Sequence, residues 1–407
     1  MHGEPVTLDA IKAARSRLGR QVVLTPLAKS ETLSAQLGAE LYLKFENQQF
    51  TASFKERGAL NRLLLLDDED RARGVTAMSA GNHAQALAYH GSRLGIPVSI
   101  VMPRYTPNAK VEQTRVFGAE VILHGSQFGE TLEFTRRHAE ERGYTLVHPF
   151  DDEAVIAGQG TLGVEMLEQV AELDTVIVPV GGGGLIAGVA VACKSINPEV
   201  SVVGVQADRF SAAADLFNRR EGREPSSARP GTVAEGIAVE APGVKTLAII
   251  RERVDRMLTV SEHDIEAAVF KLLEVEKTVT EGAGAAALAA VLAEPSVAVG
   301  KTALVLTGGN IDMMMLSSVL QRGLVRTKRL VRLAVETPDV PGSLARLTGI
   351  LGDLDSNIVD VVHQRAFGTS SVRATRIEFV LQMRGEEQSD VVIRTLREAG
   401  YDAQLAS

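Results

Sequence analysis

Cysteine is nearly absent from this chain: Cys193 is the only one among 407 residues. That excludes an internal disulfide framework and any cysteine-based zinc site. Within the apolar run 189–193, Cys193 reads as a small buried hydrophobe rather than a nucleophile. Positive charge is also in short supply. Against 51 Asp and Glu stand 43 Lys and Arg, a formal net charge of -8, so no basic stripe is available to cover nucleic-acid phosphates. The one basic run, Arg322, Arg326, Lys328, Arg329 and Arg332, reads as a solvated linker. Long hydrophobic runs are missing too. The longest apolar stretch, around 283–293, is too short to span a bilayer. The first five residues lack the basic-then-apolar order of a signal peptide. A reducing, cytoplasmic home is expected, with no membrane or nucleic-acid partner. There is no internal repeat and no low-complexity tract.

What is present is ordinary globular composition, 45% hydrophobic and 23% charged, in a chain longer than one core needs. Residues 41–43, 75–78, 98–102, 120–123, 176–180, 202–205 and 303–306 read as short buried strands. Between them, 83–94, 108–117, 128–142, 161–173 and 265–276 read as helices. Gly74, Gly118 and Gly143 stand where such helices should stop. Strands alternating with helices of this length predict an α/β fold of βαβ units with parallel sheet covered on both faces. From about residue 330 the pattern changes. Strand 330–336, a Pro341-Gly342-Ser343 turn, helix 344–354, strands 357–364 and 375–382, helix 389–399 and a closing tail give a βαββαβ order. That predicts a small, separate, ferredoxin-like α+β domain, joined through 322–329.

Three segments place backbone donors or a reactive group after an apolar strand, where ligands bind in open α/β sheets. The first, 51–59, carries Lys55 at the start of an expected helix. The positive end of a helix dipole favours the neutral amine that attacks an aldehyde, although most lysines are surface charges. The second, Ser79-Ala80-Gly81-Asn82-His83, turns from strand to helix and leaves free N–H groups for a carboxylate. Asn82 could donate to a ring hydroxylate or cap the helix. The His83 ring reads as a packing residue. The third is Gly181-Gly182-Gly183-Gly184-Leu185. Four glycines destabilise any regular element and suit a bare backbone around an anion. Gly182, Gly184 and Ala187 with a later Asp208 also fit a loose dinucleotide fingerprint, but no such signature opens the first βαβ unit, and no Gly-Lys-Ser/Thr follows for a P-loop. A fourth segment, Thr307-Gly308-Gly309-Asn310, ends a strand with a hydroxyl that could meet a ring nitrogen.

In this order and spacing the segments closely resemble the threonine dehydratases (threonine ammonia-lyases) of the tryptophan-synthase-β-like, pyridoxal-phosphate (PLP) family. The likeness covers about residues 15–325. It includes Thr25-Pro26-Leu27, Ser53-Phe54-Lys55-x-Arg57-Gly58-Ala59, Ser79 through Gln85, His148-Pro149-Phe150-Asp151, Gly158-Gln159-Gly160-Thr161, the tetraglycine, Glu281-Gly282-Ala283-Gly284 and Thr307 through Asn310. The C-terminal part resembles a single ACT domain, with Asp339-Val340-Pro341-Gly342-Ser343-Leu344 as its ligand-loop pattern.

The resemblance implies PLP fold type II, two open twisted, mostly parallel sheets. A catalytic domain would span 1–325 (a smaller lobe at about 45–150, a larger one from 1–44 and 151–325), followed by an ACT regulatory domain at 330–407. It implies PLP bound as a Schiff base on Lys55, flanked by Phe54, with Asn82 on the ring 3′-oxygen. Gly181, Gly182, Gly183, Gly184 and Leu185 would hold the phosphate, and Thr307 the pyridine nitrogen. Ser79, Ala80, Gly81, Asn82 and His83 would receive the substrate carboxylate. The implied reaction removes the β-hydroxyl and amine of L-threonine or L-serine, leaving a 2-oxoacid and ammonia. Because Thr307 offers a hydroxyl and not a carboxylate, the ring is a weaker electron sink, which favours elimination over transamination.

Family members most often carry Ser at the place of Thr307; the hydroxyl is kept. Relatives that racemise serine have a second Ser where Ala80 stands, so racemisation is disfavoured. Their cation site has an acidic residue where Gln206 lies, with Asp208 and Glu235 nearby, so no metal is expected. Threo-3-hydroxyaspartate elimination, β-replacement, racemisation and a non-catalytic ACT-based amino-acid sensor are the competing readings. An amino-acid effector and a homodimer or homotetramer are expected from the ACT-like part.

Overall fold

In the computed structural model, which describes residues 6–219, 231–364 and 373–406, the chain divides into the units Met1–Asp312 and Met313–Ser407. Strands of the first unit are β1 (Leu27–Lys29), β2 (Glu40–Lys44), β3 (Val75–Met78), β4 (Val98–Met102), β5 (Glu120–Leu123), β6 (Thr145–Leu146), β7 (Thr175–Pro179), β8 (Ser201–Ala207), β9 (Arg256–Val260) and β10 (Lys301–Val305). They form two sheets, ordered β1-β2-β10-β7-β8-β9 and β5-β4-β3-β6. All pairings are parallel except β1 with β2. β4 and β7 are buried at every position, which is why they appear in the sequence as unbroken apolar runs. Because β10 lies between β2 and β7, the segment after β10 and the glycine loop after β7 leave adjacent strands at the same end of the sheet.

The predicted strands and helices are found, with shifted ends. The largest shift concerns the helix expected at 161–173, which runs over Glu153–Gln169 and contains the Gly158-Gln159-Gly160 motif. Two glycines argue against a helix interior, each by roughly 1 kcal/mol. Here close packing requires them. A Cβ on Gly158 would meet Arg57 O at 2.6 Å, and one on Gly160 would meet Gly188 O at 2.8 Å, so neighbouring helices would be held off. Asp152 starts this helix by accepting from Val155 N–H at 2.9 Å. The apolar stretch around 283–293 is the helix Gly282–Ala293, buried over Gly282 to Val291; apolar on all sides, it shows no amphipathic period. Among the described residues no helix is long and apolar enough to cross a membrane.

In the second unit β11 (Leu330–Pro338), β12 (Asn357–Gln364), β13 (Ala374–Gln382) and β14 (Asp402–Ala406) form an antiparallel sheet ordered β12-β13-β11-β14. Helices Ser343–Asp353 and Glu386–Glu398 accompany it, and Leu333, Val335, Leu347, Leu351, Phe379 and Leu396 share its core. The expected linker at 322–329 is mostly not a linker. Helix Met313–Arg326 runs through its first half and belongs to the second unit, and Arg332 lies in β11. Arg326 sits in that helix's last turn, where a cation suits the negative end of the dipole.

Candidate active site

Lys55 is the first residue of the helix Lys55–Leu64, as the sequence predicted. Two contacts fix the approach to it: Ser53 bridges Gly308, and Phe54 N–H donates to Thr307 O at 3.1 Å. The strain is local, in Ala52, which holds a left-handed φ of 54° while its carbonyl accepts from Gly309 N–H at 2.9 Å. The Lys55 amine donates to Pro149 O at 2.8 Å. His148 shapes that carbonyl's turn, its Nδ1 accepting from Asp151 N–H at 2.9 Å and from Phe150 N–H at 3.3 Å. Some Lys55 surface stays accessible, yet protein crowds the amine closely enough that burial lowers its pKa to about 8, against a smaller upward pull from Glu281. Desolvation is the larger cause, and the helix dipole expected from the sequence acts in the same direction.

The glycine loop meets the same turn. A Cβ on Gly182 would collide with the Phe150 ring, and one on Gly184 would lie 2.9 Å from Phe150 O. Pro149 and Phe150 therefore tie Lys55 to the loop. Gly183 has φ of 94° and caps the helix Gly184–Ile196, whose first return bond is Ala187 N–H to Gly183 O at 3.0 Å. The N–H groups before Ala187 have no helical partner, an arrangement suited to an anion. Leu185, in the first turn, is buried at 4%. From below, Thr246 Oγ donates to Gly182 O at 2.7 Å, and Asp151 accepts from the N–H groups of Val244, Lys245 and Thr246. A buried loop built this way suits an anion such as a phosphate; it follows β7 and is not the opening of a first βαβ unit that the dinucleotide reading needs.

Ser79 leaves β3, its Oγ accepting from Gly81 N–H at 3.3 Å, and Asn82 opens the helix Asn82–Leu94. Gly81 holds the N-cap position, so Asn82 is not the cap. Its Nδ2 donates to Glu281 Oε1 at 2.8 Å. Lys55, Ser79, Ala80, Gly81, Asn82, Gly181 and Glu281 are all half-buried. His83 is buried, with Nε2 bonded to Val147 O at 3.1 Å, and burial pushes its pKa down to about 3. The ring is neutral with the proton on Nε2, and its Nδ1 has no protein partner. Thr307 is buried at 3%.

Glu281 and the residues around Arg57 are the groups that sequence reasoning left without roles. Burial raises the Glu281 carboxyl to about 7, while the Asn82 bond, Lys110 and Lys55 pull it down. Two residues past Lys55, Arg57 is fully buried between Glu46 and Glu165, at 2.8 and 2.6 Å, and Lys44 joins Glu165 at 3.0 Å. Gln206 accepts from Ala214 N–H, and Glu235 pairs with Lys110. Among the described residues no cluster of His, Cys, Asp or Glu could hold a metal.

A reactive amine beside an anion-binding glycine loop, with a buried hydroxyl at the next strand end, fits an aldehyde cofactor bearing a phosphate. The depressed Lys55 value gives a test. PLP uptake by the apoenzyme is expected to speed up about tenfold per pH unit and level off near pH 8. Stopped-flow traces that keep accelerating to pH 10 would describe an ordinary, solvated lysine.

Residues 20–308 match the pyridoxal-phosphate dependent enzyme family, and residues 330–404 match the TTHA0829-like ACT domain. The L-threonine ammonia-lyase of Thermotoga maritima is 44% identical over 400 residues, covering 98% of this chain and 99% of the relative. The crystal structure of a T.th. threonine deaminase superposes with a TM-score of 0.71 at 41% identity, over 75% of this chain and 99% of that one. Serine racemase from Dictyostelium discoideum gives a TM-score of 0.70 at 34% identity, over 76% and 99%. Similarity this extensive, on a fold whose strand ends bring lysine, glycine loop and hydroxyl together, means that the chain belongs to the family of pyridoxal-phosphate dependent enzymes, with an ACT domain at its C-terminal end.

Proposed function

We propose that this enzyme deaminates L-threonine to 2-oxobutyrate and ammonia, and L-serine to pyruvate and ammonia. The observation that carries the reading is the Lys55 amine, depressed to about 8 and aimed at the turn that the glycine loop packs upon. When bound, PLP supplies an aldehyde to join the substrate's amine and a ring that withdraws electrons from Cα. Lys55 and its neighbour Phe54 would hold the cofactor's reactive end, and the N–H groups of residues 181–185 its phosphate. Ser79 through His83 would receive the substrate carboxylate at the start of their helix, and the second hydrogen of Asn82 Nδ2 would serve the ring oxygen. Lys55 Nζ then takes the proton from Cα. Thr307 would bring a hydroxyl to the pyridine nitrogen; unlike a carboxylate it would not keep a proton there, which favours loss of the β-hydroxyl over transamination. The water lost in that step returns on hydrolysis, and ammonia is the net product.

Ala80 argues against racemisation, since its methyl group can carry no proton to the opposite face of Cα. Product analysis decides. Purified enzyme with L-threonine is expected to yield 2-oxobutyrate and ammonia in equal amounts. A D-amino acid or a β-substituted product as the main outcome would overturn the proposal, as would turnover confined to threo-3-hydroxyaspartate.

The reading extends to regulation in a cytoplasmic homo-oligomer, with an amino acid bound at the ACT domain. Support comes from the Pro341-Gly342 turn. Gly342 has φ of 91° and caps the helix Ser343–Asp353, and Ser343 Oγ donates to Pro338 O at 2.8 Å. Relatives such as the E. coli catabolic threonine dehydratase match 77% of this chain over 96% of their own length, so the first unit has counterparts without the second. Removing residues 330–407 is expected to leave turnover in place and abolish the response to branched-chain amino acids. A truncated enzyme that still responds would place the effector elsewhere.

A further inference from the structure

The Asn82 side chain is held at both ends. Asn310 Nδ2 donates one hydrogen to Thr51 O at 2.7 Å and the other to Asn82 Oδ1 at 2.8 Å. An Asn310 amide turned over would set its own oxygen against both of those acceptors, so its orientation is fixed. Asn82 Oδ1 must then face Asn310, and its Nδ2 must face the other way, toward Glu281 Oε1 at 2.8 Å. One hydrogen remains on that Nδ2.

Glu281 is built for this contact. It occupies the N-cap position of the helix Gly282–Ala293 but makes no capping bond with its side chain. The carboxyl turns to Asn82 instead, in a niche walled by glycines. A Cβ on Gly308 would come within 2.6 Å of Oε1, and one on Gly236 within 3.0 Å. Its backbone N–H donates to Gly308 O at 3.0 Å, while Gly309 N–H donates to Ala52 O. The segments bearing Lys55, Glu281 and Asn310 are thereby stitched into one frame around Asn82.

We propose that Glu281 and Asn310 are positioning residues that fix the flip of the Asn82 amide, so that Nδ2 and not Oδ1 is offered to the cofactor's ring oxygen. The inference rests on the assignment of Asn82 to that oxygen. A flipped amide would set a carbonyl oxygen against an oxygen anion, exchanging a hydrogen bond for repulsion. The charged groups around Glu281 are Lys55, Lys110 and Glu235, and none of them contacts the Asn82 amide in its place.

The test measures PLP affinity of the apoenzyme by fluorescence titration and the absorbance maximum of the loaded form. Neither readout needs an amino-acid substrate, so an error in the substrate assignment leaves both untouched. Glu281→Ala and Asn310→Asp are each expected to weaken PLP binding at least tenfold and to shift the absorbance maximum, while Glu281→Gln, which keeps an acceptor oxygen, stays within threefold. In an Asn82→Ala background the same two substitutions are expected to add less than twofold, because the amide they act through is gone. Should Asn310→Asp not fold, Glu281→Ala alone carries the comparison. Unchanged affinity and spectrum in Glu281→Ala would overturn the proposal, and so would losses of equal size with and without the Asn82 amide.

Discussion

Replacing Lys55 with methionine is expected to lower kcat by about 10³-fold or more, since the proposed covalent anchor and base at Cα would both be lost, and to replace the aldimine absorbance band by that of the free aldehyde. The same substitution should make the apoprotein more stable. Burial holds the Lys55 ammonium below its ordinary value, from 10.5 to about 8. A cation whose folded pKa is depressed costs stability wherever it is charged in both states. The cost, about 3 kcal/mol at one pKa unit per 1.4 kcal/mol, is complete below the folded value. It fades as pH rises from about 8 to 10.5. Thermal melts of the two apoproteins should therefore differ most at pH 7 and converge at high pH. Equal melting temperatures at pH 7, with activity retained, would remove Lys55 from the centre of the account. The trade is a familiar one, in which a reactive group is kept in a place that does not suit it.

The second large effect is expected away from the reacting atoms. Arg57 and Lys44 face Glu46 and Glu165 in a buried set of two cations and two anions. Burial alone would raise the Glu46 carboxyl, but Arg57 and Lys44 outweigh it and hold it below its usual 4.5. Burial lowers the Lys44 ammonium, with Glu165 opposing. Such a set balances only when complete. Glu165→Ala leaves two buried cations with one carboxylate, a loss of about 3–5 kcal/mol. Differential scanning calorimetry should show the first unit melting several degrees lower. PLP affinity should fall with it, because Arg57 lies two residues along the helix that Lys55 begins. The sign with pH follows from Glu46: its contribution is present above about 4.5 and is lost as pH falls through its lowered value. A Glu165→Ala protein as stable as the parent would contradict the claim that the set balances only when complete.

Much of this site could be read before any fold was known, and the reason is local. Asn82, the glycine loop and Thr307 each follow an apolar strand within a few positions, so strand end and candidate group come in one short word, while Lys55, eleven residues past β2, opens its own helix. What stayed hidden is what distance along the chain conceals. Glu281 meets Asn82 across 199 positions, and Glu165 meets Arg57 across 108. A glutamate ahead of Gly-Ala-Gly could be quoted as a motif, but nothing nearby says that it turns away from its own helix. The Lys55 acceptor is a backbone carbonyl, Pro149 O, which leaves no mark in a sequence. The Gly158–Thr161 segment misled for a different reason: Gly158 answers to Arg57 O and Gly160 to Gly188 O on neighbouring helices, and local propensity points the wrong way.

Borohydride reduction of the PLP-loaded enzyme, followed by peptide mapping, asks the central question most directly. The phosphopyridoxyl group should be found on the peptide containing Lys55 and on no other. Its recovery on a different lysine, or no covalent label despite stoichiometric PLP, would contradict the account.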